Sequence, residues 1–144
     1  MEHLRAALEG ATTIELIDWP HQDVPATLLR AGYVVVGHEP DGYKTYLIVE
    51  DEPEGRVFPV AGGYLTSTPL DALPGTIDIV NTYRPADEQP DIARGAIAVG
   101  ARVLWIQPGE ATSEEARTIA ERAGLTFVEG VDIAAAVREL GIQV

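Results

Sequence analysis

A chain of 144 residues with 46% hydrophobic residues and no cysteine suits one domain with a single core and excludes disulfides, thiolate metal sites and thiol chemistry. Its net charge of -13 repels duplex nucleic acid and anionic membranes at long range, and no apolar run approaches the roughly 20 residues that span a bilayer. An anionic ligand needs a local pocket to override that field, which screening beyond about 8 Å permits; the simpler meaning of the acidity is solubility, and the expectation is a soluble cytoplasmic protein.

In chain order, Leu4, Ala7 and Leu8 have helical spacing and Gly10 is a stop. This amphipathic N-terminus lacks the apolar core of a signal peptide. Thr13 to Asp18 reads as the first strand, and Trp19-Pro20-His21-Gln22 as a tight loop. Asp23 is placed to cap a helix with Pro25 near its first turn, where a missing N–H costs nothing. That helix stops at Gly32, and Tyr33 to His38 is the second strand, so Thr13 to His38 is one βαβ unit.

Pro40-Asp41-Gly42 is a turn signal. Tyr43 to Val49 and Arg56 to Val60 are β-prone, and the acidic turn between them suggests an antiparallel hairpin. Residues 61–64, Ala-Gly-Gly-Tyr, read as a flexible connection, and Pro69 to Leu73 as one helical turn. Ile77 to Gly109 is the unit around which the chain is organised: a central strand at Ile77 to Val80, a helix over Asp87 to Val99, and a strand at Arg102 to Ile106. Thr112 or Ser113 with Glu114-Glu115 marks the next helix start. Leu125 to Val128 is a last short strand, and Asp132 caps a final helix through Leu140. The expected fold is therefore α/β, a Rossmann-like doubly wound and mostly parallel sheet with an added β-hairpin, in a single domain over residues 1–144.

Ligands of such sheets gather beyond the carboxyl ends of the strands. Neither standard glycine-rich phosphate loop is present; Asp18-Trp19-Pro20-His21 stands where one would be, leaving the following helix N-terminus as a possible anion site. His21 and His38 both fall at this edge, as pocket histidines or as loop residues half in water. Arg84 is either a cationic clamp for phosphate or carboxylate or the partner of Asp87 or Glu88. Tyr83 either stacks on a planar ligand or covers the sheet. Gln107 and Gly109 either hold a ligand amide or hydroxyl or make a turn. Trp105, inside a strand, reads as core. No Ser-His-Asp set, carboxylate pair or metal cluster can be assembled.

Ala31 to Val36 with Pro40, then Ile77 to Pro85 ending in Thr-Tyr-Arg-Pro, then Gly100 to Gly109 containing Trp-Ile-Gln-Pro-Gly, then Glu114 to Ala116 and Ala123 to Val128 together resemble the small bacterial CoA-binding-domain proteins. These are stand-alone relatives of the CoA-binding domain of the succinyl-CoA synthetase α-subunit. The resemblance covers about Leu4 to Val128. It implies a non-catalytic protein that binds CoA, an acyl-CoA or a related nucleotide. The ligand would lie among the first loop (Trp19, Pro20, His21), the end of the second strand (His38, Pro40), the aromatic-Arg turn (Tyr83, Arg84) and the glutamine turn (Gln107, Pro108, Gly109). The chain departs from the family in its shorter first loop, in Glu39 where Asn is usual, in a longer hairpin region and in a helix at its end. Those changes fall mainly on the half that would take the pyrophosphate. The alternative reading is accordingly a member without CoA binding that acts as a homodimeric interaction or structural module; an enzyme using His21 or His38 is a third.

Overall fold

The computed structural model describes residues 1–38, 45–49, 57–60, 63–66 and 76–144. A 3₁₀ turn at Glu2–Leu4 leads into α1 (Arg5–Glu9), followed by β1 (Thr13–Ile17), α2 (Asp23–Arg30) and β2 (Val34–His38). Three short strands follow, β3 (Thr45–Val49), β4 (Val57–Val60) and β5 (Gly63–Thr66). The second half is β6 (Ile79–Thr82), a 3₁₀ turn at Ala86–Glu88 running into α3 (Gln89–Ala98), β7 (Val103–Ile106), α4 (Glu114–Arg122), β8 (Thr126–Glu129) and α5 (Ile133–Leu140).

The eight strands among the described residues form one sheet in the order β4-β5-β3-β2-β1-β6-β7-β8. The five strands from β2 to β8 are parallel, and β3, β5 and β4 continue the sheet antiparallel beyond β2. The expected doubly wound, mostly parallel sheet with an antiparallel addition is thus present, but its strand pairing differs from the sequence reading. β3 and β4 are not partners. β3 pairs with β2 and with β5, and β4 is the outer strand. The cause is the stretch read as a connection: Gly63 and Tyr64 begin β5, with Val60 opposite Gly63, so only two residues separate β4 from β5, the commonest hairpin spacing. The turns expected at 40–42 and 51–55 and the helical turn at 69–73 lie outside the described residues.

Alternation along the parallel strands divides the core in two. Ile14, Leu16, Val35, Ile79 and Trp105 pack with Leu8, Leu28 and Val137 under α1, α2 and α5. Val36, Val80, Leu104 and Ile106 pack with Ala93, Ala96, Ala116 and Ala120 under α3 and α4. Trp105 is core, as expected, and its indole N–H donates to the Val131 carbonyl at 2.7 Å.

Two of the three helix caps expected from the sequence form. Ser113 caps α4 by accepting from the Ala116 N–H at 3.1 Å, and Asp132 caps α5 by accepting from Ala134 at 3.2 Å. Asp23 does not cap α2; Gln22 holds that position without a side-chain bond. The Asp23 carboxylate turns outward to Arg138 of α5 at 2.6 Å, so it joins two helices rather than closing one.

Candidate functional site

From β1 the chain crosses through α2 on one face to β2, and from the adjacent β6 it crosses through α3 on the other face to β7. Neighbouring strands whose connections diverge in this way create a topological switch point, and a crevice opens above their carboxyl ends. Here those ends are Ile17-Asp18 and Thr82-Tyr83-Arg84. The ladder runs on past both strands, with Tyr83 N–H to the Ile17 carbonyl at 3.0 Å and Gln107 N–H to the Thr82 carbonyl at 2.9 Å. The loops above the crevice therefore leave from fixed registers.

Arg84 stands at this point between two carboxylates. Its Nη1 donates to Asp18 Oδ2 at 3.2 Å, and its Nε and Nη2 both donate to Glu88 Oε2 at 3.1 and 2.8 Å. The Glu88 hydrogen bond, and after it that of Asp18, holds the guanidinium pKa above its usual value. Asp18 has φ +61, the one non-glycine residue with positive φ among the described residues. Aspartate tolerates this conformation better than most side chains. The conformation lets Oδ1 accept from the Trp19 N–H at 2.8 Å while Oδ2 faces Arg84.

Beneath Arg84 lies a residue that the sequence did not mark. Gln89 is fully buried; its Nε2 donates to the carbonyls of Arg84 at 3.0 Å and Ala111 at 2.8 Å, and its Oε1 accepts from the Ser113 N–H at 2.8 Å. One amide thus ties the loop after β6 to the loop after β7. A glutamine on a helix face carries no outward sign of this role, because its partners in the second loop, Ala111 and Ser113, lie 22 and 24 residues away.

The two turns of the organising unit also touch. Gly109, at φ +108, lies against the Tyr83 ring; a Cβ there would stand 2.9 Å from Tyr83 Cε2 and 3.0 Å from its hydroxyl. Gly109→Ala therefore destabilises the fold by more than Gly124→Ala, where φ is +87 and nothing lies within 4 Å. The backbone term, about 1 kcal/mol, is common to both, and the excess in chemical denaturation reads the Tyr83 contact. Equal losses would mean that the ring is free to leave.

The other sequence candidates separate. Trp19 is half-buried and packs against the core beneath α1, α2 and α5. Pro20 is half-buried beside it, and His21 is exposed, with its carbonyl accepting from Val24 N–H at 3.2 Å. His38 closes β2 in register with Ile17. Pro40 lies outside the described residues. Pro108 is exposed beside Gly109.

Gln107 is not brought to the crevice. It is buried, and its Oε1 accepts from Asn81 Nδ2 at 3.2 Å and from the Ile133 N–H at 2.8 Å, while its Nε2 donates to Asp132 Oδ1 at 2.9 Å. The backbone donor at Ile133 fixes which end of the amide is the oxygen. The side chain therefore fastens the N-terminus of α5 to the sheet. Asn81 Oδ1 is a buried acceptor without a partner among the described residues.

Among the described residues no three His, Cys, Asp or Glu side chains gather as a metal site, and no helix is long and apolar enough to cross a membrane. The fold is shared with solved structures. A protein of Thermus thermophilus matches with a TM-score of 0.69 at 23% identity, over 96% of this chain and 97% of that one. A hypothetical protein from Pyrococcus horikoshii matches with 0.71 at 22% identity, over 96% and 90%. A conserved hypothetical protein from Pyrococcus furiosus matches with 0.54 at 26% identity, over 87% and 98%. The family described as CoA binding domain matches residues 20–135. That span runs from the loop after β1, through the carboxyl end of β6, to the start of α5, and the chain belongs to the CoA binding domain family.

Proposed function

We propose that the protein binds CoA, an acyl-CoA or a related nucleotide without transforming it, at the crevice between the carboxyl ends of β1 and β6. The observation that carries this reading is Arg84. In a chain of net charge -13, a guanidinium stands at the switch point of a CoA-binding-domain fold, with its backbone held by a buried glutamine. A planar fork of N–H donors at that place suits a phosphate oxygen pair. Tyr83, lying against Gly109, offers its ring beside it. The exposed His21 has no carboxylate orienting it among the described residues, which favours binding over acid–base catalysis.

Titration calorimetry at moderate salt tests the reading. CoA, acetyl-CoA or ADP is expected to bind with an affinity that falls as salt rises, because a phosphate–guanidinium contact at a partly exposed site is screened. Absence of heat with all three overturns it.

The second reading, a homodimeric module, draws support from β4, the outer strand of the sheet, whose far edge has no strand partner among the described residues and is a surface on which another strand can add. Sedimentation at several concentrations tests it: a concentration-dependent dimer supports the reading, and a strict monomer that binds CoA rejects it.

A further inference from the structure

The two carboxylates on Arg84 are not equivalent. Glu88 takes the side edge of the guanidinium, with Nε and Nη2 converging on a single oxygen at 3.1 and 2.8 Å. This is the edge that bidentate recognition of a phosphate or carboxylate uses. Asp18 takes only the remaining Nη1, at 3.2 Å. Glu88 is the more exposed partner, with its side chain at 45% against 32% for Asp18. It lies in the 3₁₀ turn that leads into α3, where a side-chain rotation frees it into solvent. Asp18 is held on both sides, by the Trp19 N–H and by a backbone at φ +61.

We propose that Glu88 is an internal stand-in for the ligand's anionic group, and that a phosphate oxygen pair displaces Glu88 from Arg84 while Asp18 stays in place as the anchor that aims the guanidinium. The inference rests on the reading of this crevice as the CoA or nucleotide site, and it assigns the two residues opposite effects on affinity. A half-exposed ion pair holds little free energy, so the exchange is easily driven by a doubly bonded phosphate. The resident carboxylate nonetheless competes with every anion that enters. It excludes weak monoanions and admits groups that fill both donors of the edge.

The test is the affinity of CoA, ADP and inorganic pyrophosphate for the wild type, Glu88→Gln and Asp18→Asn, by calorimetry at one salt concentration. Both variants remove one negative charge from the same neighbourhood. Asparagine tolerates positive φ and keeps an oxygen for the Trp19 N–H, so Asp18→Asn retains its local fold. Glu88→Gln is expected to bind CoA and pyrophosphate about fivefold more tightly, the factor that an exposed ion pair of this type is worth at its upper end. Asp18→Asn is expected to bind more weakly than the wild type, since once the ligand displaces Glu88 no anchor aims Arg84.

If the two variants tighten binding alike, the effect is the general charge of the site and the inference is overturned. If Glu88→Gln binds no better than the wild type while the wild type binds CoA, the inference is overturned and the proposed function stands. If no variant binds any of the three probes, the proposed function falls, and this inference with it.

Discussion

Replacing Gln107 with leucine lowers the free energy of unfolding by about 4 kcal/mol, measured by chemical denaturation. Leucine nearly fills the volume, so the loss is not a cavity effect. It comes from three bonds lost at once, which strand the Ile133 N–H and Asn81 Nδ2 and take one of its bonds from Asp132 Oδ1. Each buried polar group left without a partner costs about 1 to 3 kcal/mol. Asp132 retains its bond from Ala134, so the two stranded donors set the loss, together about 2 to 6 kcal/mol with about 4 kcal/mol at the middle. The damage begins at α5, so amides of 133–140 lose hydrogen-exchange protection before those of the central strands. A change below about 1 kcal/mol would mean that Gln107 is free to face a ligand instead. Gln107→Glu tests the same network by charge, since a carboxylate there faces Asp132 directly.

The protein loses stability between about pH 5 and pH 7, and Glu15→Gln removes that loss. Glu15 lies in β1, flanked in register by Val36 and Val80. It sits on the face that packs α3 and α4, because Ile14 and Leu16 point to the other. It is 8% exposed. Burial among apolar neighbours disfavours the carboxylate and pushes its pKa from the ordinary 4.5 up to about 7. The folded state therefore holds a proton that the unfolded state releases at lower pH. The contribution is fully present below pH 4.5, declines as pH rises through the window, and is gone above about pH 7.

A shift of this size corresponds to about 3 kcal/mol, on the order of 10 °C in melting temperature for a domain of this length. The difference between Glu15→Gln and wild type should accordingly be small at pH 4.5 and reach about that value at pH 8. Taking the difference isolates Glu15 from groups with the opposite tendency, such as Glu129, whose pKa is lowered by hydrogen bonds from Thr112 and Arg117. A difference that does not grow with pH would place the Glu15 carboxylate in water.

The five parallel strands were legible because strands covered on both faces are nearly continuous apolar runs, and Tyr33 to Val36 and Val103 to Ile106 have that character. The caps at Ser113 and Asp132 were legible because capping is local. β5 was not, because it opens on Gly63, a residue of low strand preference, and is held by pairing with β3 and β4, a tertiary effect.

The site divides along the same line. The Arg84–Glu88 pair, four residues apart, was readable as one of two choices for that arginine. Asp18 was not, since it meets Arg84 only when β1 and β6 lie side by side, 66 positions apart. Gln107 shows the limit most sharply. A polar amide at a strand's carboxyl end has one appearance in sequence and two fates, and the choice is made by α5, 26 residues further on, arriving above it.

Thermal unfolding of the wild type and Arg84→Ala, each with and without CoA, tests the central claim most directly. CoA at about 100 times its dissociation constant adds about 2.7 kcal/mol to the stability of a protein that binds it. The account predicts an upward shift of the wild-type transition that is lost or much reduced in Arg84→Ala, with the unliganded transitions of the two proteins close together because the ion pairs of Arg84 are partly exposed. An unshifted wild type, or an equal shift in Arg84→Ala, would contradict it.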